Sequence, residues 1–309
     1  MKSMRAYVAS VVERVTWAVL KHTRVDRNVD IALAALIQGE AFKISDVVAY
    51  VEFLRGCIEP MWCSLVTIRA DGPLDDAHGL RFQTLLESVR GNLPPIPVAL
   101  AVELARAADT LRSTTIPLDT RRWSGDVGLH FVISSSLGRK GRLLSSIVRF
   151  CRPKVCLELG TAYGMSARFI LGTQTQGRAI HLTTIECDQP TYELIRPQLS
   201  ARYGAAVDCR FGMTADVLPE LVKSMGPADF VFHDARHSEE DYIRDFSLIV
   251  DALAPGAVIL IDDIRWEDPR WHEGRANTYR GWQSIARHKR IRHAVEIDGS
   301  MAIGLVLLT

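Results

Sequence analysis

The spacing of apolar and polar positions changes character near Ser136, and it divides the chain into two unlike parts. From there to the end, short apolar runs alternate with segments of helical spacing. A helix is predicted over 138–150, with strands at 155–160, 181–187, 207–212, 228–234 and 257–263. The last two apolar runs, 293–298 and 301–308, are separated only by Gly299-Ser300, which predicts an antiparallel hairpin. Strands alternating with helices predict an α/β fold around a mostly parallel sheet. Over the first 112 or so residues the pattern reads as helical. Val8, Val11, Val12, Val15, Ala18 and Val19 recur at helical spacing, as do Val47, Val48, Val51, Phe53 and Leu54 behind the candidate cap Ser45. Further helices are predicted at 28–38, 78–90 and 96–112, and 113–130 reads as a connecting loop. The expected organisation is a helical accessory domain with linker over 1–130 and an α/β domain over 131–309.

Composition narrows the classes. At 309 residues the chain exceeds one ordinary domain, and 48% hydrophobic with 24% charged residues is the profile of a globular protein with a sizeable core. A net charge of +1 gives no basis for a nucleic-acid partner. Val8–Leu20 is interrupted by Glu13 and Arg14, so it reads neither as a secretory signal nor as a membrane span. The six cysteines form no Cys-x-x-Cys pair and read as reduced side chains of a cytoplasmic protein. The helical N-terminal part is expected to serve oligomerisation or to cover a substrate.

Candidate chemistry concentrates at strand ends. Val155-Cys-Leu-Glu158-Leu runs into the turn Gly160-Thr161-Ala162-Tyr163-Gly164, and Ser166 then opens a helix. Glycines at such a turn let backbone approach a ligand closely. The turn has no Gly-Lys-Ser/Thr and lacks the Gly-x-Gly-x-x-Gly spacing, so neither a phosphate loop nor a dinucleotide loop is read here. Glu158 would repel a pyrophosphate but could hold an ammonium. A second run, His181 to Glu186, also ends in an acid, a usual partner of ribose hydroxyls. Gly212-Met213-Thr214-Ala215 follows a third run.

This series resembles the class I S-adenosylmethionine (SAM) dependent methyltransferases. The resemblance covers about 136–309 and implies a Rossmann-like sheet of seven strands whose final strand runs against the rest. It further implies SAM held by Glu158, Gly160, Thr161, Ala162, Tyr163, Gly164, Ser166 and Glu186, by the loop Gly212, Met213, Thr214 and Ala215 against the adenine, and by Asp234.

The fourth and fifth runs end in Asp234-Ala-Arg-His237 and Asp262-Asp263. Three carboxylates on one sheet edge would repel one another unless a cation joined them, and hard oxygen donors suit Mg²⁺ or Mn²⁺. The pattern is similar to the metal-dependent O-methyltransferases of the catechol type, and closer still to the macrolide-sugar type. Carried over, Asp234, Asp262 and Asp263 would bind the metal and His237 would be the base. His233, inside its strand, reads as a core residue or as one that supports the site from behind. The stretch 264–282, with Trp266, Trp271 and Trp282, reads either as a lid or substrate wall or as a short packed helix.

The expected activity is divalent-metal-assisted O-methylation of a small hydroxylated secondary metabolite, a sugar or a phenol. The alternatives are N-methylation or a non-methylating reaction such as cyclisation on the same fold, or a non-catalytic SAM-binding assembly protein. A homo-oligomer built through the N-terminal part is expected.

Overall fold

Alternate residues of the long apolar runs face opposite sides of one sheet, and both sides are buried. Cys156, Phe230, Phe232, Val258, Leu260, Leu305 and Leu307 belong to one core cluster, while Leu157, Leu159, Val231, Ile259, Ile261, Val306 and Leu308 belong to the other. A strand buried on both faces has no polar side to display, which is why these runs are nearly continuous in apolar residues. The computed structural model describes Cys57 and residues 63–112, 138–173, 179–265, 277–297 and 302–309.

Among those residues the strands are β1 (Leu65–Ala70), β2 (Val155–Leu159), β3 (His181–Glu186), β4 (Val207–Phe211), β5 (Ala228–His233), β6 (Leu253–Ile261), β7 (Ile291–Ile297) and β8 (Ile303–Leu308). They form an eight-stranded sheet in the order β1-β7-β8-β6-β5-β2-β3-β4. Pairings from β4 across to β6 are parallel, and β6–β8, β8–β7 and β7–β1 are antiparallel. The chain leaves β2 outward to β3 and β4, then returns to place β5 on the other flank of β2. That reversal opens a crevice at the carboxyl ends of β2 and β5, where open α/β sheets hold ligands.

The helices are α1 (Ala77–Gly91), α2 (Val98–Arg112), α3 (Gly138–Cys151), α4 (Met165–Leu171), α5 (Gln189–Tyr203), α6 (Thr214–Ser224), α7 (Glu239–Ile249) and α8 (Thr278–Ala286). Phe82 of α1, Leu104 of α2, Leu143 of α3, Phe169 of α4 and Ile195 of α5 join the first cluster. Leu218 of α6, Tyr242 of α7 and Trp282 of α8 join the second. The result is a sheet between two helical layers.

The terminal hairpin and the five parallel strands agree with the sequence pattern. Residues 65–70 do not. They fall in the part read as helical, yet they form β1 and pair antiparallel with β7, Leu65 opposite Ile297. The run Val66-Thr67-Ile68 is β-branched and packs poorly on a helix but well on a pleated edge. With α1 and α2 sharing the core of α3–α5, the described N-terminal residues build onto the same sheet. The helices expected at 8–20, 28–38 and 45–54, the linker 113–130 and its boundary with the α/β part lie outside the described residues. No helix among the described residues is long and apolar enough to cross a membrane. The six cysteines are all unpaired.

Candidate functional site

The glycine turn closes directly onto the end of β5. Gly160 adopts φ +94°, and a Cβ there would stand 2.1 Å from the backbone oxygen of Asp234. Only glycine lets the two strand ends come this close, and Asp234 is held by its amide donating to the Leu159 carbonyl at 2.8 Å. Gly164, at φ +67°, turns the chain into α4.

Glu158 is fully buried behind this turn. Its Oε2 accepts from the Thr184 hydroxyl at 2.5 Å, and Thr184 shares a second hydrogen bond of 2.5 Å with the Thr161 hydroxyl. Its Oε1 has no donor. Burial pushes the carboxyl up to about 8, against hydrogen bonds from Ser166 and Thr184 that favour the anion. A buried acid with one open oxygen beside a glycine turn is suited to a cationic amine.

Glu186 ends β3 and accepts from the Ala162 amide at 2.7 Å through Oε2 and from the Asp188 amide at 2.8 Å through Oε1. It therefore also shapes the glycine turn. The carboxylate, which the Cys187 amide also approaches, keeps lone-pair capacity for a hydroxyl donor. Burial raises this carboxyl as well. In the next loop, the Gly212 amide donates to the Glu186 carbonyl at 2.9 Å. Thr214 is buried and its hydroxyl donates to Asp245 at 3.0 Å, so its side chain faces inward. Gly212, Met213 and Ala215 remain partly accessible beside it. Tyr163 is packed into the core with its hydroxyl pushed up to about 12, chiefly by burial.

The second half of the site forms because β5 and β6 run in parallel with His233 opposite Ile261. Asp234 and Asp262 then follow their strands side by side, with the Asp262 amide donating to the His233 carbonyl at 2.9 Å. Asp263 takes φ +51°, an uncommon conformation for a residue with a Cβ. His237 Nε2 lies 3.2 Å from Asp263 Oδ2 and 3.6 Å from Asp234 Oδ1. Asp234, His237 and Asp263 each bring a donor atom within 4.8 Å of the others, an arrangement able to hold a metal ion.

Asp262, expected as the third metal acid, is engaged differently. It is fully buried, and Lys140 of α3 donates to its Oδ2 while lying 3.7 Å from Asp234 Oδ2. Its Oδ1 has no donor, and its carbonyl accepts from the Tyr242 hydroxyl at 2.6 Å. The structure thus groups Asp234 and Asp263 with His237, and Asp262 with Lys140. Lys140 was not legible as a site residue, because only the packing of α3 on the sheet brings it here.

The charges set the protonation of the cluster. Burial alone would raise Asp234, but Lys140 and His237 hold it well below the usual carboxylate range. Burial and the neighbouring Asp234 push Asp262 upward. Burial works to lower His237, yet hydrogen bonds and charge from Asp234 and Asp263 outweigh it and raise the imidazole to about 10.

The remaining expected residues fall away from the crevice chemistry. His233 is buried with Nε2 3.2 Å from Asp245 and its ring edge-on to Tyr242, which fits a core role. Trp282 is fully buried and donates from Nε1 to Glu296 at 2.9 Å. It belongs to the packed-helix reading and is closed to a ligand. Trp266 and Trp271 lie outside the described residues.

Residues 157–264, which hold every element of this crevice except Lys140, match the family described as a methyltransferase domain. Over that stretch the chain is similar to methyltransferase domains. A probable O-methyltransferase of Mycobacterium tuberculosis is 31% identical over 138 residues, 41% of this chain and 56% of the relative. Catechol O-methyltransferase of Mus musculus is 30% identical over 131 residues, 40% of this chain and 48% of the relative. The chain thus spans about half the length of the curated relatives it matches. The chain also shares its fold with an SAH-bound methyltransferase of Podospora anserina, at a TM-score of 0.52 and 18% identity over 78% of this chain and 99% of that one.

Proposed function

We propose that this protein is a SAM-dependent O-methyltransferase acting on a hydroxyl of a small sugar or phenolic metabolite, with a divalent cation at the acid edge. The observation that carries the reading is the placement of His237 between Asp234 and Asp263, at the end of the strand that closes onto the glycine turn. A candidate base and a candidate cofactor pocket therefore share one crevice.

In this reading the open oxygen of Glu158 accepts the methionine ammonium, and Glu186 accepts the ribose hydroxyls. Gly160, Thr161, Ala162 and Gly164 provide the close backbone, Tyr163 and Ser166 support the turn from beneath, and Gly212, Met213 and Ala215 border the adenine. Thr214 holds that loop through Asp245.

Asp234 and Asp263, with Asp262 beside them, would hold Mg²⁺ or Mn²⁺. The donor set fits: carboxylate oxygens dominate it, and the buried Oδ1 of Asp262 lacks a partner. A divalent cation there would supply Lewis-acid stabilisation of charge developing on the acceptor oxygen and cancel the field that keeps His237 protonated. His237 Nε2 takes the hydroxyl proton as the oxygen forms its bond to the methyl carbon and the carbon–sulfur bond breaks. Holding the two reactants in line supplies much of the acceleration.

The similarity to O-methyltransferases supports oxygen as the methylated atom. The test is incubation of purified protein with SAM, Mg²⁺ and a panel of glycosylated and phenolic acceptors, read by mass spectrometry. A product heavier by one methyl is expected. SAM consumed without such a product would overturn the reading in favour of a non-methylating reaction.

A further inference from the structure

Among the described residues, methyl transfer as described gives no role to the Lys140 ammonium at the crevice. Lys140 extends from the first turn of α3, its side chain 13% exposed, and donates to Asp262 Oδ2. It satisfies only one of the two oxygens of a carboxylate that is itself fully buried. A buried carboxylate and a buried ammonium are each costly alone, so each is kept in place by the other. Lys140 also stands 3.7 Å from Asp234 Oδ2. Its charge therefore acts at close range on two of the three acids that the metal reading uses, and reaches Asp263 as well.

We propose that Lys140 is a resident cation of the acid edge, which holds Asp262 when no ion is bound and competes with the divalent ion for that carboxylate. This rests on the metal reading above. Three carboxylates crowded on one edge would spread apart by mutual repulsion, and the ammonium keeps them assembled. The same positive charge, about 4 Å from Asp234, opposes a second cation arriving there. The lysine is suited to yielding: its compact charge sits on a flexible four-carbon stem, whereas an arginine fork would be fixed. Lys140 is accordingly a positioning residue whose retention weakens ion binding and makes it exchangeable.

The experiment measures Mn²⁺ binding to EDTA-stripped full-length protein by the electron paramagnetic resonance signal of free Mn²⁺, with no SAM or acceptor present. Lys140→Met is expected to bind Mn²⁺ about fivefold or more tightly than wild type, because the competing charge is gone. Lys140→Arg, which keeps the charge on a less yielding fork, should bind Mn²⁺ no more tightly than wild type. On an Asp262→Asn background, Lys140→Met should give well under half of its gain, since the contested carboxylate has been removed. Should Lys140→Met fail to fold in a thermal melt, Lys140→Gln keeps a donor to Asp262 without the charge and is expected to tighten binding in the same direction. Wild-type binding with an unchanged or weaker affinity in the uncharged variants would overturn this inference and leave the metal reading standing. No Mn²⁺ bound by any of the proteins would overturn both.

Discussion

His237 and Asp263 meet at 3.2 Å, although they hang from different strands and Asp263 reaches the histidine only through a left-handed backbone turn. Burial would lower the imidazole, but Asp234 and this contact with Asp263 outweigh it and raise it to about 10 in the ion-free protein. A histidine whose folded pKa is raised stabilises the fold fully below its unfolded value near 6.5, and that contribution is lost as pH climbs toward 10. In EDTA-treated protein, His237→Gln should therefore lower the melting temperature most at about pH 6 and progressively less by pH 9 to 10. A deficit that grows with pH over that window would contradict the geometry.

As the base, His237 should be dispensable for SAM binding but not for turnover. His237→Ala is expected to lower kcat by roughly 10²–10⁴-fold. Calorimetry should show SAM affinity within about threefold of wild type, a change worth well under 1 kcal/mol. Near-normal turnover would move the base to another group.

Glu158 shifts stability with pH in the same direction, but there it is the charged form that burial disfavours. Burial raises its carboxyl to about 8, so below its unfolded value near 4.3 the neutral form is at ease, and stability falls as pH rises from there through about 8. Glu158→Gln should thus raise the melting temperature of the SAM-free protein at pH 8 while weakening SAM binding by about 1.5–3 kcal/mol, the usual worth of hydrogen bonds to a charged group. Unchanged SAM affinity in calorimetry would remove Glu158 from the pocket.

Glu186→Ala is expected to cost SAM binding by about 1.5–3 kcal/mol. It should also loosen the turn, because Ala162 and Asp188 lose their shared acceptor. Faster amide exchange at those two residues would report the second effect separately from the first, and protection equal to wild type would show that the turn holds without Glu186.

Gly160→Ala should destabilise the protein by about 1–3 kcal/mol or more, since the added methyl meets the Asp234 carbonyl in a backbone conformation that favours glycine. Urea unfolding measures it. A variant as stable as wild type would mean that the β2 and β5 ends can part without cost.

The sequence by itself determined the sheet's central strands, the terminal hairpin and most of the chemistry placed on the sheet edge. These are local properties. A strand buried on both faces must be apolar throughout, as at Phe230 to Phe232 and Val258 to Ile261, and an acid directly after such a run must sit at its carboxyl end. Asp234, Asp262, Asp263, Glu158 and Glu186 could be placed at the sheet edge in this way, whereas His237 was singled out by the resemblance to an Asp-x-x-His pattern. The tertiary structure decided what each of them touches. β1 is an edge strand held by backbone pairing to β7, so its six residues carry little periodicity to read. Lys140 meets Asp262, Thr184 meets Glu158 and Trp282 meets Glu296 only because remote elements pack across the sheet. Partnership of that kind depends on strand order and helix placement, which no spacing along the chain encodes. It is this packing that separates Asp262 from the pair Asp234 and Asp263, and that gives the acid edge its own lysine.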